Sequence, residues 1–234
     1  SLARHGYRKI PGKAPMLEAL AAATILSGKW DTTTPFINPM CGSGTLAIEA
    51  ALIASKRVPG LLRHNYAFMH VLGYDSAVYE KERAVIERQI TEPTGLQIIA
   101  SDMSKQAIDI AKINAAAAGV EDLITFQVCD FENTKMPDNM EGAVILFNPE
   151  YGERLGEEED LGLTYKRMGD FMKQRCPGYT GFIFTGNAIF YPDGKETQRI
   201  GIVPDIKFKP SVSEALDPND AHLKRAIKYI NEGK

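Results

Sequence analysis

The chain is poor in the residues that staple, ligate or span. Its 234 residues include three cysteines, Cys41, Cys129 and Cys176, with no CxxC pair, so neither a disulfide framework nor a cysteine zinc site is encoded. The four histidines, His5, His64, His70 and His222, show no ligand spacing, and no metal is expected. No run approaches the roughly 20 apolar residues of a membrane-spanning helix, and the Ala-rich run from Ala19 to Leu26 is far shorter. That run follows a basic opening, as a secretory leader would, but Glu18 and the helical pattern favour a core helix and a cytoplasmic protein. Low-complexity tracts are absent, which excludes a disordered or collagenous chain. Charge of one sign is lacking too: 27 Lys and Arg against 30 Asp and Glu give a formal net charge of -3. That is too little to gather nucleic acid by a global field. The charge is nevertheless unevenly placed. Arg4, His5, Arg8, Lys9 and Lys13 share a stretch without acid, and Glu157 to Asp160 run together. What is present, 44% hydrophobic and 24% charged residues, suits one large globular domain with a full core.

Strand-length apolar runs alternate with helical patterns, the signature of an α/β fold with a mostly parallel twisted sheet and helices on both faces. The pattern predicts a helix over Pro15 to Leu26, with Pro15 at its opening, then a short buried strand over Pro35 to Asn38. A glycine loop and a helix over Thr45 to Ser55 follow. Further strands are predicted at Leu96 to Ala100, Leu123 to Val128, Ala143 to Phe147 and Gly181 to Thr185. Between them, Ser104 caps a helix running to Ala118 and closed by Gly119, and a second helix surrounds Leu163 to Lys173. Residues 57–95 exceed a normal αβ connection. They read as an insertion holding a packed helix over Ala77 to Ile90, preceded by a loop with Arg63, His64, Tyr66 and Phe68. After Asn187 the turn signal Phe190 to Lys195 and the extended Ile200 to Phe208 predict a hairpin, and Asp217 onward a final amphipathic helix.

Four segments carry chemistry. Asn38-Pro39-Met40-Cys41-Gly42-Ser43-Gly44-Thr45 lies between strand and helix, where glycines admit close backbone approach and a helix N-terminus presents free N–H groups. A nucleotide-like cofactor is implied, although a tight βα turn needs glycines for steric reasons alone. Asp102 closes the second strand at the C-terminal sheet edge, where an acid can hold ribose hydroxyls or simply cap the next helix. Asp130 closes the third strand, where it can accept from an adenine amino group while Phe131 covers the ring. The fourth strand runs into Asn148-Pro149-Glu150-Tyr151-Gly152-Glu153-Arg154-Leu155. There an amide carbonyl, a fixed backbone and a flat aromatic face suit an exocyclic amine on a base.

In this order the four segments resemble class I S-adenosylmethionine (SAM)-dependent methyltransferases. Within them they resemble the bacterial RNA guanine-N2 methylase family, whose members usually carry an N-terminal THUMP RNA-binding domain. The resemblance covers about residues 2–187 and includes Gly6-Tyr7-Arg8, Ala14 to Glu18, Ile48-Glu49-Ala50-Ala51 and Pro59-Gly60-Leu61. It implies a Rossmann-like fold and transfer of methyl from SAM to guanine N2 in RNA, usually 23S ribosomal RNA, leaving S-adenosylhomocysteine (SAH). It also implies cofactor contacts at Asn38, Pro39, Met40, Cys41, Gly42, Gly44, Thr45, Asp102, Met103, Asp130 and Phe131, and a catalytic set of Asn148, Pro149 and Tyr151. Glu150, Arg154 and Arg8 are the substrate-side candidates, and charge alone adds Arg4, Lys9 and Arg63 as phosphate contacts.

The chain departs from the family pattern at several points. Asn38 stands where the loop usually opens with Asp, and Glu150 replaces the second proline of Asn-Pro-Pro-Tyr. Glu150 meets a guanine N1–H and N2–H edge or faces solvent, with solvent favoured. The THUMP domain is absent, as if the chain were a fragment of a longer protein. Residues 188–234 resemble the C-terminal end of S41 carboxy-terminal processing peptidases, without that family's nucleophile, so a recombined or engineered chimera is suggested and no protease activity is expected. The alternatives are an adenine-N6 methyltransferase on RNA or DNA, since the Asn-Pro-x-Tyr chemistry serves both amines, and a cofactor-binding chimera without turnover.

Overall fold

The computed structural model describes residues 3–12, 15–138, 141–149, 158–176 and 178–185, with only the helical backbone over 158–161. The chain divides into two units, Ser1–Gly186 and Asn187–Lys234, and all described residues belong to the first. The predicted hairpin and final helix lie outside the described residues.

Among the described residues, five parallel strands form one sheet in the order β3-β2-β1-β4-β5: β1 Phe36–Pro39, β2 Ile98–Asp102, β3 Ile124–Val128, β4 Val144–Phe147 and β5 Thr180–Ile183. The helices are α1 Glu18–Ser27, α2 Thr45–Ala54, α3 Ser76–Glu87, α4 Lys105–Ala118 and α5 Glu158–Arg175. Alternation along the strands supplies two cores. Phe36, Ile98, Ala100, Val144 and Leu146 pack with residues of α1, α2 and α4, while Ile37, Ile99, Ile145 and Phe147 pack with Met168 and Phe171 of α5. Helices therefore cover both faces. Each large apolar side chain fully buried this way contributes about 1.5–3 kcal/mol. Helix α2 is apolar nearly all round, and every residue but Ile53 is buried, as a helix enclosed by other elements requires.

Local signals place several boundaries. The Ser104 side chain accepts from Ala107 N at the start of α4, and Gly119 ends it with φ +72°. Asp75 caps α3, accepting from Ala77 N and Val78 N. Three expectations are corrected. Helix α1 begins at Glu18, not Pro15, because the Met16 carbonyl is taken by the Arg8 guanidinium and Leu17 remains extended. Helix α5 starts at Glu158, ahead of the predicted Leu163. The insertion helix forms, but none of its residues is buried. It is a surface helix, with Val78 and Val85 exposed, because its apolar positions are too few to make a core-facing stripe.

Candidate functional site

Strand β1 pairs with β2 on one side and β4 on the other, so the strand order reverses there. In open α/β sheets the crevice beyond the strand ends at such a point receives ligands. The glycine loop leaves β1 at this edge. Cys41 N donates to Ser101 O at 2.9 Å, extending the β1–β2 pairing, and Gly44 N donates to Cys41 O at 2.9 Å. Met40 has φ +55° and Gly42 φ +55°. That geometry costs an L-residue such as Met40 about 1 kcal/mol and is the kind of strain that collects at working sites.

The two loop glycines have different reasons to be glycine. Nothing lies within 4 Å of where a Gly42 Cβ would stand, whereas a Cβ on Gly44, at φ +82°, would meet Ala111 Cβ of α4 at 2.8 Å. Gly44 lets α2 pack on α4, and Gly42 borders open space. Gly44 is also the residue before α2, and no side chain caps the first turn, leaving amide donors for a ligand.

Asp102 braces the loop. Its Oδ2 accepts from Gly42 N at 3.0 Å and its Oδ1 from Ser104 N at 2.9 Å. Both predicted roles, loop edge and helix start, are thus combined in one carboxylate, and each oxygen retains a lone pair for a further donor. The next side chain, Met103, is 76% exposed, an apolar surface at the lip. Cys41 is buried, and burial pushes its thiol up, so it is no nucleophile at neutral pH.

Asp130 caps the turn after β3, its Oδ1 accepting from Glu132 N at 3.0 Å. Arg167 of α5 was not anticipated. Its Nη2 donates to both Asp130 oxygens at 3.0 Å and also reaches Glu132, and its guanidinium lies 4.9 Å from the Phe131 ring centre. The carboxylates raise the Arg167 pKa further. Phe131 is a correction: it is 5% exposed and meets Phe147 and Phe171 edge-on. Its ring serves the core and cannot cover a ligand.

Arg8 is a second correction. Its Nη2 donates to Met16 O and, at 3.1 Å, to Thr45 Oγ1, and its Nε lies 3.6 Å from buried Glu18. This charge balances a buried carboxylate and is not offered to a substrate. Thr45 accordingly turns its hydroxyl to Arg8. Alongside, His5 Nδ1 and Tyr7 Oη both reach Glu49 Oε1 at 2.8 Å. Burial raises the Glu49 pKa. Asn114 of α4 accepts from Lys9 N and Ile10 N and donates to Ile10 O and Ser43 O. It ties the N-terminal segment to the glycine loop. A lone Glu in apolar α2 and a lone Asn in Ala-rich α4 are the sequence signals for this network.

Two acceptors at neighbouring strand ends lack partners. Asn38, fully buried, donates from Nδ2 to Leu146 O at 2.9 Å while its Oδ1 is unpaired, and Asn148 Oδ1, just past β4, is likewise buried and unpaired. Such orphans are expensive unless a ligand or water satisfies them. Pro149 follows, buried. Glu150, Tyr151 and Arg154 lie outside the described residues. Among the described residues no cluster of His, Cys, Asp and Glu could hold a metal ion, and no helix is long and apolar enough to cross a membrane.

A parallel β3-β2-β1-β4-β5 sheet, with a glycine loop after β1 and acids after β2 and β3, defines the Rossmann-like fold of class I SAM-dependent methyltransferases. Residues 5–192 match the model of the RMKL-like methyltransferase domain, and the chain belongs to that family. The ribosomal RNA large subunit methyltransferase K/L of Aliivibrio salmonicida is 35% identical over 243 residues, covering 100% of this chain and 34% of that protein. The chain thus spans about a third of the length of the curated relatives it matches. That alignment includes residues 188–234. Among solved structures, SMU.472 in complex with SAH is 32% identical, with a TM-score of 0.70, covering 78% of this chain and 46% of that one. A predicted N6-adenine-specific DNA methylase from Listeria monocytogenes is 37% identical with a TM-score of 0.69, covering 79% and 48%.

Proposed function

We propose that this domain binds SAM and transfers its methyl group to the exocyclic N2 of a guanine in RNA, with large-subunit ribosomal RNA as substrate. The observation that carries the reading is the orphaned Asn148 Oδ1, buried beside Pro149 at the strand-order reversal, one strand from the glycine loop. The residues fit the cofactor. The space at Gly42 admits it, the uncapped first turn of α2 offers donors, and Asp102 sits where ribose hydroxyls would be held. Met103 supplies an apolar surface for the adenine, and Asp130, held by Arg167, an acceptor for its amine. Asn38 Oδ1 is a neutral acceptor for an ammonium group, weaker than the aspartate usual at this position.

When bound, the cofactor supplies an electrophilic methyl on a positively charged sulfur. The chain's contribution is positioning. Asn148 Oδ1 would accept one N–H of the target amine and the Pro149 carbonyl the other, turning the nitrogen lone pair toward the methyl. Tyr151, outside the described residues, is the ring that would stack on the base and stop its rotation. The base must be unpaired or flipped to enter, and the proton leaves after transfer, so no strong base is needed. The choice of RNA guanine follows the relatives named as ribosomal RNA methyltransferases. A THUMP domain elsewhere in a longer protein would supply further RNA affinity, and the site of action would be the cytoplasm. Adenine N6 is the second reading, favoured by the name of the Listeria neighbour.

The test is calorimetric titration with SAH of the wild type and Asp102→Ala, followed by methylation of ribosomal RNA fragments with nucleoside analysis. One-site SAH binding lost in Asp102→Ala, and N2-methylguanosine as product, are expected. N6-methyladenosine would replace the substrate assignment, and absence of SAH binding by a folded sample would overturn the reading.

A further inference from the structure

Residues 7–12 run along the glycine loop and are tied to the elements around it. Tyr7, 1% exposed, reaches Glu49 of α2, and Arg8 donates to Oγ1 of Thr45, the first residue of that helix. Gly12 lies over the loop itself: the position of a Cβ on Gly12 is 3.4 Å from Ser43 Cβ and 3.9 Å from Ser43 N. The central tie is Asn114 of α4, 1% exposed. Its Oδ1 accepts from Lys9 N at 2.9 Å and Ile10 N at 3.2 Å, and its Nδ2 donates to Ile10 O at 3.1 Å and Ser43 O at 3.3 Å. Two acceptor and two donor roles are the full capacity of a side-chain amide. Three of these bonds go to the segment and the fourth to the loop. Asn114 also stands one turn from Ala111, the residue against which Gly44 packs. The loop is therefore gripped at successive residues from β2 and α4, Gly42 N by Asp102 and Ser43 O by Asn114.

We infer that residues 7–12 are a strap whose docking holds the glycine loop in its ligand-receiving form, with Asn114 as the positioning residue that joins the two. Anchoring the segment needs only the three bonds to Lys9 and Ile10. The fourth makes segment and loop share one buried amide, so a segment that lifts away frees Asn114 to turn and leaves Ser43 O without its donor. A buried carbonyl in that state must find another partner, and the loop has to shift to reach one. Aspartate at this place could accept but not donate, and glutamine is a methylene longer than these four partners allow. Asn114 acts through Ser43 and is not itself a ligand contact. This role rests on the SAM-binding reading and extends it to regulation: whatever engages the segment changes cofactor affinity, and the cofactor stabilises the docked segment by the same factor.

Amide hydrogen exchange followed by NMR, together with calorimetric titration with SAH, tests the strap in the full chain. In ligand-free Asn114→Asp the amides of Gly42 and Gly44, hydrogen-bonded to Asp102 and Cys41, are expected to exchange faster than in the wild type. SAH affinity is expected to fall about ten-fold. Ile124→Ala, in the core at the opposite end of the strands from the loop, should lower Tm and leave SAH affinity unchanged, which separates positioning from lost stability. In the wild type, saturation with SAH is expected to slow exchange at Lys9 and Ile10, a readout that needs no variant to fold. Unchanged exchange there overturns the strap, as does a folded Asn114→Asp with wild-type SAH affinity, or an equal loss of affinity in Ile124→Ala. Faster exchange at Gly42 and Gly44 in Asn114→Asp, beside a folded wild type that binds no SAH, upholds the strap and refutes the SAM-binding reading instead.

Discussion

Replacing Gly44 by alanine sets a new Cβ against Ala111 Cβ at 2.8 Å, in a backbone conformation, φ +82°, that L-residues avoid. The conformational part costs about 1–2 kcal/mol, and relieving the overlap costs about 1–3 kcal/mol more, since α2 must move off α4. Together these give about 2–5 kcal/mol, or a fall in Tm of about 4–20 °C for a chain of this size. Gly42→Ala carries only the conformational part, because nothing lies within 4 Å of its Cβ, and a fall of about 2–8 °C is expected. The two variants then differ in opposite senses in two assays. Gly44→Ala is the less stable by thermal denaturation, whereas Gly42→Ala is the one that loses SAH binding while folded, by about ten-fold or more, since its methyl fills the space a ligand needs. Adding Ala111→Gly to Gly44→Ala removes the clashing atom. Glycine within α4 costs about 1 kcal/mol by itself, yet the double variant should be more stable than the sum of the singles by about 1–3 kcal/mol. Strict additivity, or equal stability of the two alanine variants, would refute the assignment of Gly44 to packing and Gly42 to the ligand.

Asn148→Ala is expected to reduce single-turnover methylation about a hundred-fold or more with SAH affinity unchanged; equal losses in both would show that it only supports the fold. Glu49 has a carboxyl pKa raised by burial, so its contribution to stability is fully present below the unfolded carboxylate pKa and is lost as pH rises through the raised value. Glu49→Gln removes that loss. The Tm difference between variant and wild type should therefore grow from acid to neutral pH, and parallel pH profiles would refute the assignment. Asn114→Ala deletes four hydrogen bonds to the N-terminal segment and the glycine loop and is expected to cost about 2–4 kcal/mol in urea unfolding; a cost within about 0.5 kcal/mol, the range of neutral surface changes, would show the segment is not anchored there.

The local signals in the sequence were strong where one element decides the outcome. Alternation and apolar runs locate the five strands of the described residues, and Ser104, Gly119 and the glycine loop mark their turns, because caps and positive φ depend on the residue at that place. Charge roles were not legible in the same way. Arg8 sits in an acid-free stretch and reads as a phosphate contact, but Glu18, ten residues on, folds back to claim it. Phe131 follows an acid at the sheet edge, yet the direction of its ring is set by Phe147 and Phe171. Arg167 is one of several cations on α5, and only the placement of that helix brings it to Asp130. The catalytic loop shows the opposite balance. Its motif spoke clearly in the sequence, and the described structure contributes Asn148 and Pro149 alone.

The bond from Asn38 Nδ2 to Leu146 O spans 108 residues of sequence. Strand β1 emerges early, but its partner on that side is made only after β2, α4 and β3 have been laid down. Closing so long a loop is entropically slow, and non-local parallel pairing delays folding. The ligand crevice lies at this long-range seam, so it cannot exist in a half-built sheet. A nascent or misfolded chain can display its glycine loop and acids without presenting a site, and affinity for SAH becomes a report on whether the sheet has closed.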